Sequence, residues 1–159
     1  MSEAPALEID ESKVYRVTIT TDRGAMVMDL DPQLAPNTVN NFVALARKGF
    51  YTNLTFHRVV PDFVIQGGCP EGTGRGGPGY RFDDEPVHGE YTLGAVAMAN
   101  AGANTNGSQF FVCTDDCRSK LQKAYNLFGY VVSGIDVALS TAVGDVMTAV
   151  DVEERDRDA

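Results

Sequence analysis

The chain has 159 residues, 43% of them hydrophobic and 22% charged, which is the composition of one globular domain with its own core. The net charge of −9 comes mainly from the ends, because residues 1–12 hold four acids and no base and residues 151–159 hold five acids and two bases. The body between them is nearly neutral and offers no basic face, which argues against binding to nucleic acid.

Both acidic ends, residues 1–12 and 153–159, are predicted to be solvated tails around one domain at residues 13–152. The start of the chain has no positively charged segment followed by an apolar run, and no later stretch approaches about 18 apolar residues. We therefore expect a cytoplasmic protein that does not span a membrane.

The cysteines are predicted to be reduced thiols rather than metal ligands. The chain has three cysteines, Cys69, Cys113 and Cys117, an odd number whose spacing matches no zinc ribbon. Because the chain has only two histidines, few further ligands are available for a zinc ion. No closed metal site is expected from this set.

A hairpin and a helix are predicted first along the chain. Apolar alternation on both sides of a glycine-containing turn predicts a β-hairpin over Lys13–Asp31. The next segment predicts an amphipathic helix of about 13 residues, with Pro36 in its first turn and Gly49 as its C-cap. Its apolar stripe has the spacing i, i+3, i+4, i+7 and consists of Val39, Phe42, Val43 and Ala46. We expect this stripe to seal one side of a sheet.

The remainder is predicted to form short strands around one long loop. Residues 54–68 have strand character interrupted at Pro61, whereas Cys69–Pro86 holds five glycines and three prolines and is predicted to be a loop. Further strands are predicted at residues 93–98, 110–112, 127–132 and 146–152, with a short helix at residues 135–139. Many short strands with two helices predict a mainly β fold, a closed barrel capped at its ends.

Two patterns with a known chemistry fail on their context. Gly72–Gly77 satisfies the dinucleotide fingerprint G-x-G-x-x-G, but the Pro-Gly that follows cannot continue into the helix that would hold a pyrophosphate. A triad can be drawn from Ser108, His57 and Asp115, but no nucleophile elbow or oxyanion-hole sequence accompanies it. We therefore expect neither a nucleotide cofactor nor a serine nucleophile, and we interpret His57 as a structural histidine.

Two other stretches combine polar and apolar residues in a way that suits a peptide groove. FHRVVPDFVIQGG (Phe56–Gly68) places Arg58 and Gln66 among apolar residues, and its period of two predicts Phe56 and Arg58 on the same face of a strand. MANAGANTNGSQFF (Met98–Phe111) brings amide groups next to aromatic rings. An extended peptide needs both, because its backbone needs hydrogen-bond partners and its apolar side chains need a pocket.

Four stretches together resemble the cyclophilin-type peptidyl-prolyl cis-trans isomerases. They are FHRVVPDFVIQGG, GTGRGGPGYRFDDE, MANAGANTNGSQFF and LFGYVVSG, in the order and near the spacing of that family, and the similarity covers roughly residues 14–152. The resemblance implies a single-domain isomerase of X-Pro bonds that assists folding: a closed eight-stranded antiparallel β-barrel capped by two α-helices, with a groove on its outer face. It implies no cofactor and, as partners, proline-containing segments of client proteins. Because no further domain is appended, we expect a monomer.

Matching positions to the family's motifs gives the implied site. Arg58 corresponds to the catalytic arginine, Gln66 to a catalytic partner that positions the substrate backbone, and Gln109 to a polar support near the arginine. The implied hydrophobic walls around the proline ring are Phe63, Val64, Phe111 and Leu121. The other implied contacts to the substrate backbone are Ala99, Asn100 and Ala101. Without the resemblance, the apolar members fit ordinary core packing and Arg58 fits a surface salt bridge.

Three positions in the implied substrate site depart from the commonest eukaryotic pattern. Val64 occupies a position where methionine is frequent in the family. Leu121, which follows Lys120, occupies a position where tryptophan is common, and Tyr125 occupies one where histidine is common. The catalytic donor is intact, so we expect isomerase activity. Because that tryptophan contributes to drug contacts in the family, we expect cyclosporin to bind with weakened affinity.

The residues are compatible with two functions. One is an isomerase that accelerates slow proline steps in folding proteins, and the other is a binding module that holds proline-containing segments of a partner. An assay that separates peptide binding from turnover distinguishes them.

Overall fold

The structure, a computed structural model, describes residues 4–157; the predicted tail residues 1–3 and 158–159 lie outside the described residues. Its elements are β1 (Lys13–Thr21), β2 (Gly24–Leu30), α1 (Pro36–Arg47), β3 (Arg58–Val60), β4 (Val64–Gly67), β5 (Ala95–Met98), β6 (Phe110–Cys113), β7 (Leu127–Ser133), α2 (Ile135–Ser140) and β8 (Ala149–Asp156). None of the helices in this described part is long and apolar enough to cross a membrane.

All eight strands form one antiparallel sheet in the order β3-β4-β6-β5-β7-β2-β1-β8. The edge strands β3 and β8 do not pair with each other. Instead, the segments that precede them are joined by backbone hydrogen bonds, from Asn53 N to Met147 O (2.7 Å), from Met147 N to Leu54 O (2.8 Å) and from Phe56 N to Asp145 O (2.9 Å). These bonds bring the two edges together, and the predicted mainly β barrel with two helices is confirmed.

Alternation along the strands divides the apolar residues between two clusters. On β6, Phe110 and Val112 belong to the main core, whereas Phe111 and Cys113 belong to a second, smaller cluster on the other face of the sheet. The main core contains an aromatic group in which Phe42 of α1 stacks on Tyr51 at 4.6 Å and meets Phe110 edge-on at 5.3 Å. The second cluster lies outside the barrel, where a binding groove can form.

The predicted hairpin, the helix that starts at Pro36 and the interruption at Pro61 are confirmed. The helix ends as its sequence indicates, because Gly49, just beyond its last residues, adopts a φ of 78° that other residues rarely take. The region Cys69–Pro86 contains no helix and no named strand.

The prediction for the last strand, residues 146–152, is wrong in its bounds. The observed β8 runs to Asp156 because its charged half pairs with β1 in the register Lys13 with Asp156 and Tyr15 with Glu154. The Tyr15 hydroxyl donates a hydrogen bond to the Glu154 carboxylate at 2.7 Å. A strand that ends in EERD lacks apolar alternation, so the sequence alone predicts a tail for this half.

The N-terminal segment also departs from a fully solvated tail. The backbone N–H groups of Glu8 and Ile9 both donate to the Asn40 side chain of α1, at 2.8 and 3.3 Å. Ile9 is only 7% exposed and belongs to the main core. This stretch of the N-terminal segment therefore packs against α1, because one apolar side chain and one helix amide fix it there.

Candidate active site

The register of three neighbouring strands aligns the residues of the candidate site. Arg58 of β3 pairs with Gln66 of β4, and Gln66 pairs with Phe111 of β6. Directly paired residues place their side chains on the same face of a sheet, so the three side chains form a row across the outer face. The row runs from a cation through an amide to an aromatic ring.

The predicted common face of Phe56 and Arg58 is wrong. Phe56 is fully buried in the main core, whereas Arg58 is exposed. The strand begins only at Arg58, and the preceding Thr55 forms a bridge with Val146 on a different segment. Because Phe56 and Arg58 do not belong to one continuous strand, the alternation of side chains in a strand does not place them on the same face.

A cavity of about 540 Å³ opens over this row. Nine of the eleven predicted site residues line it: Arg58, Phe63, Val64, Gln66, Ala99, Asn100, Phe111, Leu121 and Tyr125. We call this cavity the proline cavity, after the proline ring that the sequence resemblance leads us to expect there. The other two predicted residues, Ala101 and Gln109, line an adjoining cavity of about 880 Å³.

The walls of the proline cavity are apolar and are fixed by their surroundings. The carbonyl of Phe63, in the turn between β3 and β4, accepts hydrogen bonds from Thr114 N at 2.9 Å and from the Cys117 thiol at 3.3 Å. Phe111 meets the Tyr125 ring edge-on with the ring centroids 5.6 Å apart. These contacts fix the backbone of Phe63 and the ring of Phe111 in the lining of the cavity.

A chain of side-chain hydrogen bonds holds the guanidinium at the edge of this cavity. Arg58 Nη1 donates to Gln66 Oε1 at 3.2 Å, and Gln66 Nε2 donates to Gln109 Oε1 at 3.1 Å. Gln109 Nε2 in turn donates to the carbonyls of Gly74 (2.8 Å) and Gly76 (2.9 Å). The orientation of Arg58 is therefore linked to the backbone of the glycine-rich loop.

The backbone on the other side of the cavity is fixed by amide side chains. Asn100 Nδ2 donates to the Ala124 carbonyl at 3.0 Å, and Asn100 Oδ1 accepts from Gly102 N at 3.2 Å. Ala99 N donates to the Gln109 carbonyl at 3.0 Å, as a continuation of the pairing between β5 and β6. The asparagine-rich stretch is thus an ordered wall with exposed polar groups.

Sequence reasoning missed three residues of the proline cavity, His57, Thr73 and Gly74. Burial, together with the neighbouring Arg58 guanidinium, lowers the pKa of His57, which favours a neutral imidazole near pH 7. The adjacency of His57 to Arg58 in sequence was the available signal. Thr73 and Gly74 line the cavity because of the path that the glycine-rich loop follows, and amino-acid composition does not predict that path.

The triad rejected on sequence grounds is also absent from this geometry. The Ser108 hydroxyl is buried and donates to the Gly68 carbonyl at 2.7 Å, and Asp115 pairs with Lys120 at 2.8 Å. A hydroxyl that is buried and occupied in this way is not presented to a substrate as a nucleophile.

The sequence matches one family profile, "Cyclophilin type peptidyl-prolyl cis-trans isomerase/CLD", over residues 16–157. Among curated proteins, it is 48% identical over 134 residues to peptidyl-prolyl cis-trans isomerase B of Bacillus subtilis, an alignment that covers 83% of this chain and 93% of the relative. It is also 42% identical over 147 residues to a peptidyl-prolyl cis-trans isomerase of Helicobacter pylori, with 90% of each chain covered.

Solved structures lead to the same family. The fold matches a crystal structure of a cyclophilin-type peptidyl-prolyl cis-trans isomerase of Cryptosporidium parvum with a TM-score of 0.81 and 31% identity, covering 88% of this chain and 98% of the other. A second structure of that protein was determined in the presence of the dipeptide Ala-Pro, and it matches with a TM-score of 0.80. The chain belongs to the cyclophilin-type peptidyl-prolyl cis-trans isomerases, a family of enzymes.

Proposed function

We propose that this chain catalyses rotation about X-Pro bonds of client proteins with Arg58 as the catalytic residue, and thereby assists their folding. Rotation crosses a barrier of about 18–20 kcal/mol because it breaks the amide resonance, and without a catalyst it takes about 10–100 s. As the amide twists, the prolyl nitrogen loses conjugation and becomes a hydrogen-bond acceptor. A fixed donor that bonds to the twisted amide better than to the planar one lowers the barrier.

The observation that carries this proposal is the position and the pairing of Arg58. Its guanidinium lines a cavity together with the apolar side chains of Phe63 and Phe111, and no carboxylate of residues 4–157 forms an ion pair with it. One donor is used on Gln66, so the remaining N–H groups are available to a bound amide. A guanidinium presents five N–H donors in a planar fork and carries a permanent positive charge.

In this proposal the other site residues bind two different parts of the substrate, the proline ring and the backbone. Phe63, Phe111 and Leu121, with Val64 and Tyr125, hold the proline ring, which fixes the axis of rotation close to the guanidinium. Gln66, together with Ala99, Asn100 and Ala101, holds the substrate backbone. Gln109 is a positioning residue that acts through Gln66. The proposed partner is a proline-containing segment, and the proposed form of the enzyme is a monomer without a cofactor.

The test is an assay of the purified chain on a short X-Pro peptide, with cis/trans rotation followed by a coupled protease and binding measured separately. We expect the protein to accelerate rotation well above the spontaneous rate at micromolar concentration, because binding and a fixed donor act on the same bond. Binding at the spontaneous rate of rotation would show the alternative function, a module that holds proline-containing segments.

A second expectation concerns cyclosporin. Leu121 lines the proline cavity where an indole is common in the family, so we expect inhibition of isomerisation to be weak. The substitution Leu121→Trp should strengthen inhibition by about tenfold, because a larger aromatic face adds apolar contact of the order of 1–2 kcal/mol. Inhibition constants of both proteins measure this, and a nanomolar constant for the wild type contradicts the expectation.

A further inference from the structure

The adjoining cavity of about 880 Å³ is continuous with the proline cavity, because Gln66, Gly74, Ala99 and Asn100 line both. An extended peptide advances about 3.3 Å per residue. A side chain two or three residues from a proline therefore lies about 7–10 Å away along the segment. Because the two cavities share lining residues, a segment bound by its proline can extend such a side chain towards the adjoining cavity.

The charged residues of the adjoining cavity have one sign. Arg75 and Arg81 line it, both are exposed, and no aspartate or glutamate of the described residues 4–157 lines it. The remainder of its lining is polar or small, with several glycines and the amides of Gln66, Asn100 and Gln109. The lining therefore offers cationic donors to an incoming side chain, and the Glu71 carboxylate, which lies beside Gly76, does not line the cavity.

Arg75 and Arg81 form no ion pair with any of residues 4–157, in a protein that is rich in acids. The sequence has 22 acidic and 13 basic residues, and ion pairs within residues 4–157 engage eight of the basic residues. The basic residues without an ion pair in that range are Lys48, Arg58, Arg75, Arg81 and Arg155. Three of these five border the continuous groove, so the unpaired positive charge is concentrated there.

The backbone on both sides of Arg75 is anchored. The carbonyls of Gly74 and Gly76 both accept from Gln109 Nε2, and Gly76 N donates to the Cys69 sulfur at 3.2 Å. Burial raises the pKa of the Cys69 thiol, but the backbone N–H groups of the loop outweigh it and hold this pKa below its usual value. The loop therefore presents Arg75 from a fixed position, despite its glycine content.

The backbone around Arg81 is anchored in the same way. On one side, the Tyr80 hydroxyl hydrogen-bonds to the Asn41 side chain of α1. On the other side, Phe82 N donates to the Asn106 carbonyl at 3.0 Å, and the Asn106 side chain donates to the Phe82 carbonyl at 3.1 Å. The two cations thus project from two separately anchored positions of one cavity.

We propose that this enzyme prefers X-Pro sites with an aspartate or glutamate two or three residues to one side of the proline, and that Arg75 and Arg81 determine this specificity. The inference rests on the proposed function of the proline cavity. The net charge of −9 repels an acidic peptide at long range, and physiological salt screens such effects beyond about 8 Å. A preference for acid therefore has to arise from the cations inside the groove.

The test compares peptides that differ only as glutamate and glutamine at one position, placed two or three residues before or after the proline. For the wild type we expect kcat/KM for the glutamate peptide to exceed that for the glutamine peptide by about three- to tenfold at low salt, on one side of the proline only. High salt should lower this ratio towards one, because the arginines are exposed.

Variants identify the residues responsible. In Arg75→Gln/Arg81→Gln the ratio should fall to about one or below, and in Arg75→Lys/Arg81→Lys it should remain above one, because the charge is kept. Arg155→Gln is the matched control, since it removes an arginine that forms no ion pair within residues 4–157 and lines neither cavity, and its ratio should equal that of the wild type.

Two results overturn the inference. One is a wild-type ratio of one or an equal gain on both sides of the proline, and the other is a preference that survives in Arg75→Gln/Arg81→Gln. If no protein accelerates rotation of the glutamine peptide, the proposed function fails instead. The same peptide pairs then test the charge preference through their dissociation constants, with the same expected ratios.

Discussion

Replacement of Arg58 by alanine is expected to lower kcat/KM for X-Pro rotation by about 10²- to 10³-fold, the usual effect of removing one preorganised donor to a transition state. The side chain is exposed and has no ion pair with residues 4–157, so the free energy of unfolding should change by less than about 0.5 kcal/mol. The measurements are the coupled isomerase assay and a urea unfolding curve for the same preparation.

Arg58→Lys separates the effect of the positive charge from the effect of the donor geometry. Lysine keeps the charge but replaces a planar fork of donors with a flexible ammonium group, so it cannot donate to Gln66 and to the substrate in the same geometry. We expect a loss of about 10- to 100-fold, between those of the wild type and Arg58→Ala. Peptide affinity should change little in both variants, since the apolar walls remain. Equal rates for the wild type and Arg58→Ala contradict the catalytic assignment.

Removal of the Gln66 side chain tests whether the orientation of Arg58, and not only its presence, contributes to the rate of rotation. Gln66 accepts from Arg58 and donates to Gln109, so its removal leaves the donor present but free to reorient. A positioning effect of this kind appears in kcat more than in KM, whereas loss of a backbone contact to the substrate raises KM. The split between the two parameters in Gln66→Ala therefore separates the two proposed roles of this side chain.

The parts of the site that follow from the sequence lie within a few residues of one another in the chain. Arg58, Phe63 and Gln66 belong to one hairpin, so a single stretch places all three at the proline cavity once its strands pair. On β6, alternation places Phe111 on the face opposite to its two sequence neighbours, whereas its role in the site is implied only by the resemblance. Local spacing predicts the elements here, but it predicts the wrong face for Phe56 and Arg58, and the roles of the site residues follow from the family resemblance.

Features that depend on contacts between distant segments were missed. Gln109 reaches the Gly74 carbonyl across 35 residues of sequence, and this contact places Arg75 in the adjoining cavity. The charged end of β8 pairs with β1 across most of the chain, through backbone groups that carry no side-chain pattern. Composition correctly predicts that the glycine-rich region is a loop, but only the tertiary contacts determine where its arginines lie.

The adjacent residues Phe110 and Phe111 should separate stability from activity. Phe110 is fully buried in the main core and packs edge-on against Phe42 and Tyr51. Phe110→Ala removes this contact from a closed core, so we expect the free energy of unfolding to fall by about 3–5 kcal/mol. Because a domain has only about 5–15 kcal/mol in total, Phe110→Leu is the milder variant that keeps the protein folded for assay.

Phe111 is on the opposite face and lines the proline cavity. Phe111→Leu should lower the free energy of unfolding less than Phe110→Leu, because Phe111, although only 4% exposed, lines a cavity, whereas Phe110 is enclosed by other aromatic rings of the main core. Phe111→Leu should instead lower kcat/KM by about tenfold, since a smaller wall holds the proline ring less firmly near Arg58. Phe110→Leu should show the reverse, a larger loss of stability and a kcat/KM within about twofold of the wild type. Urea unfolding curves measure the stabilities, and isomerase assays at urea concentrations below the unfolding transition measure kcat/KM. Equal losses of kcat/KM in the two variants would contradict the prediction, because they would show that activity depends on the packing of the whole barrel.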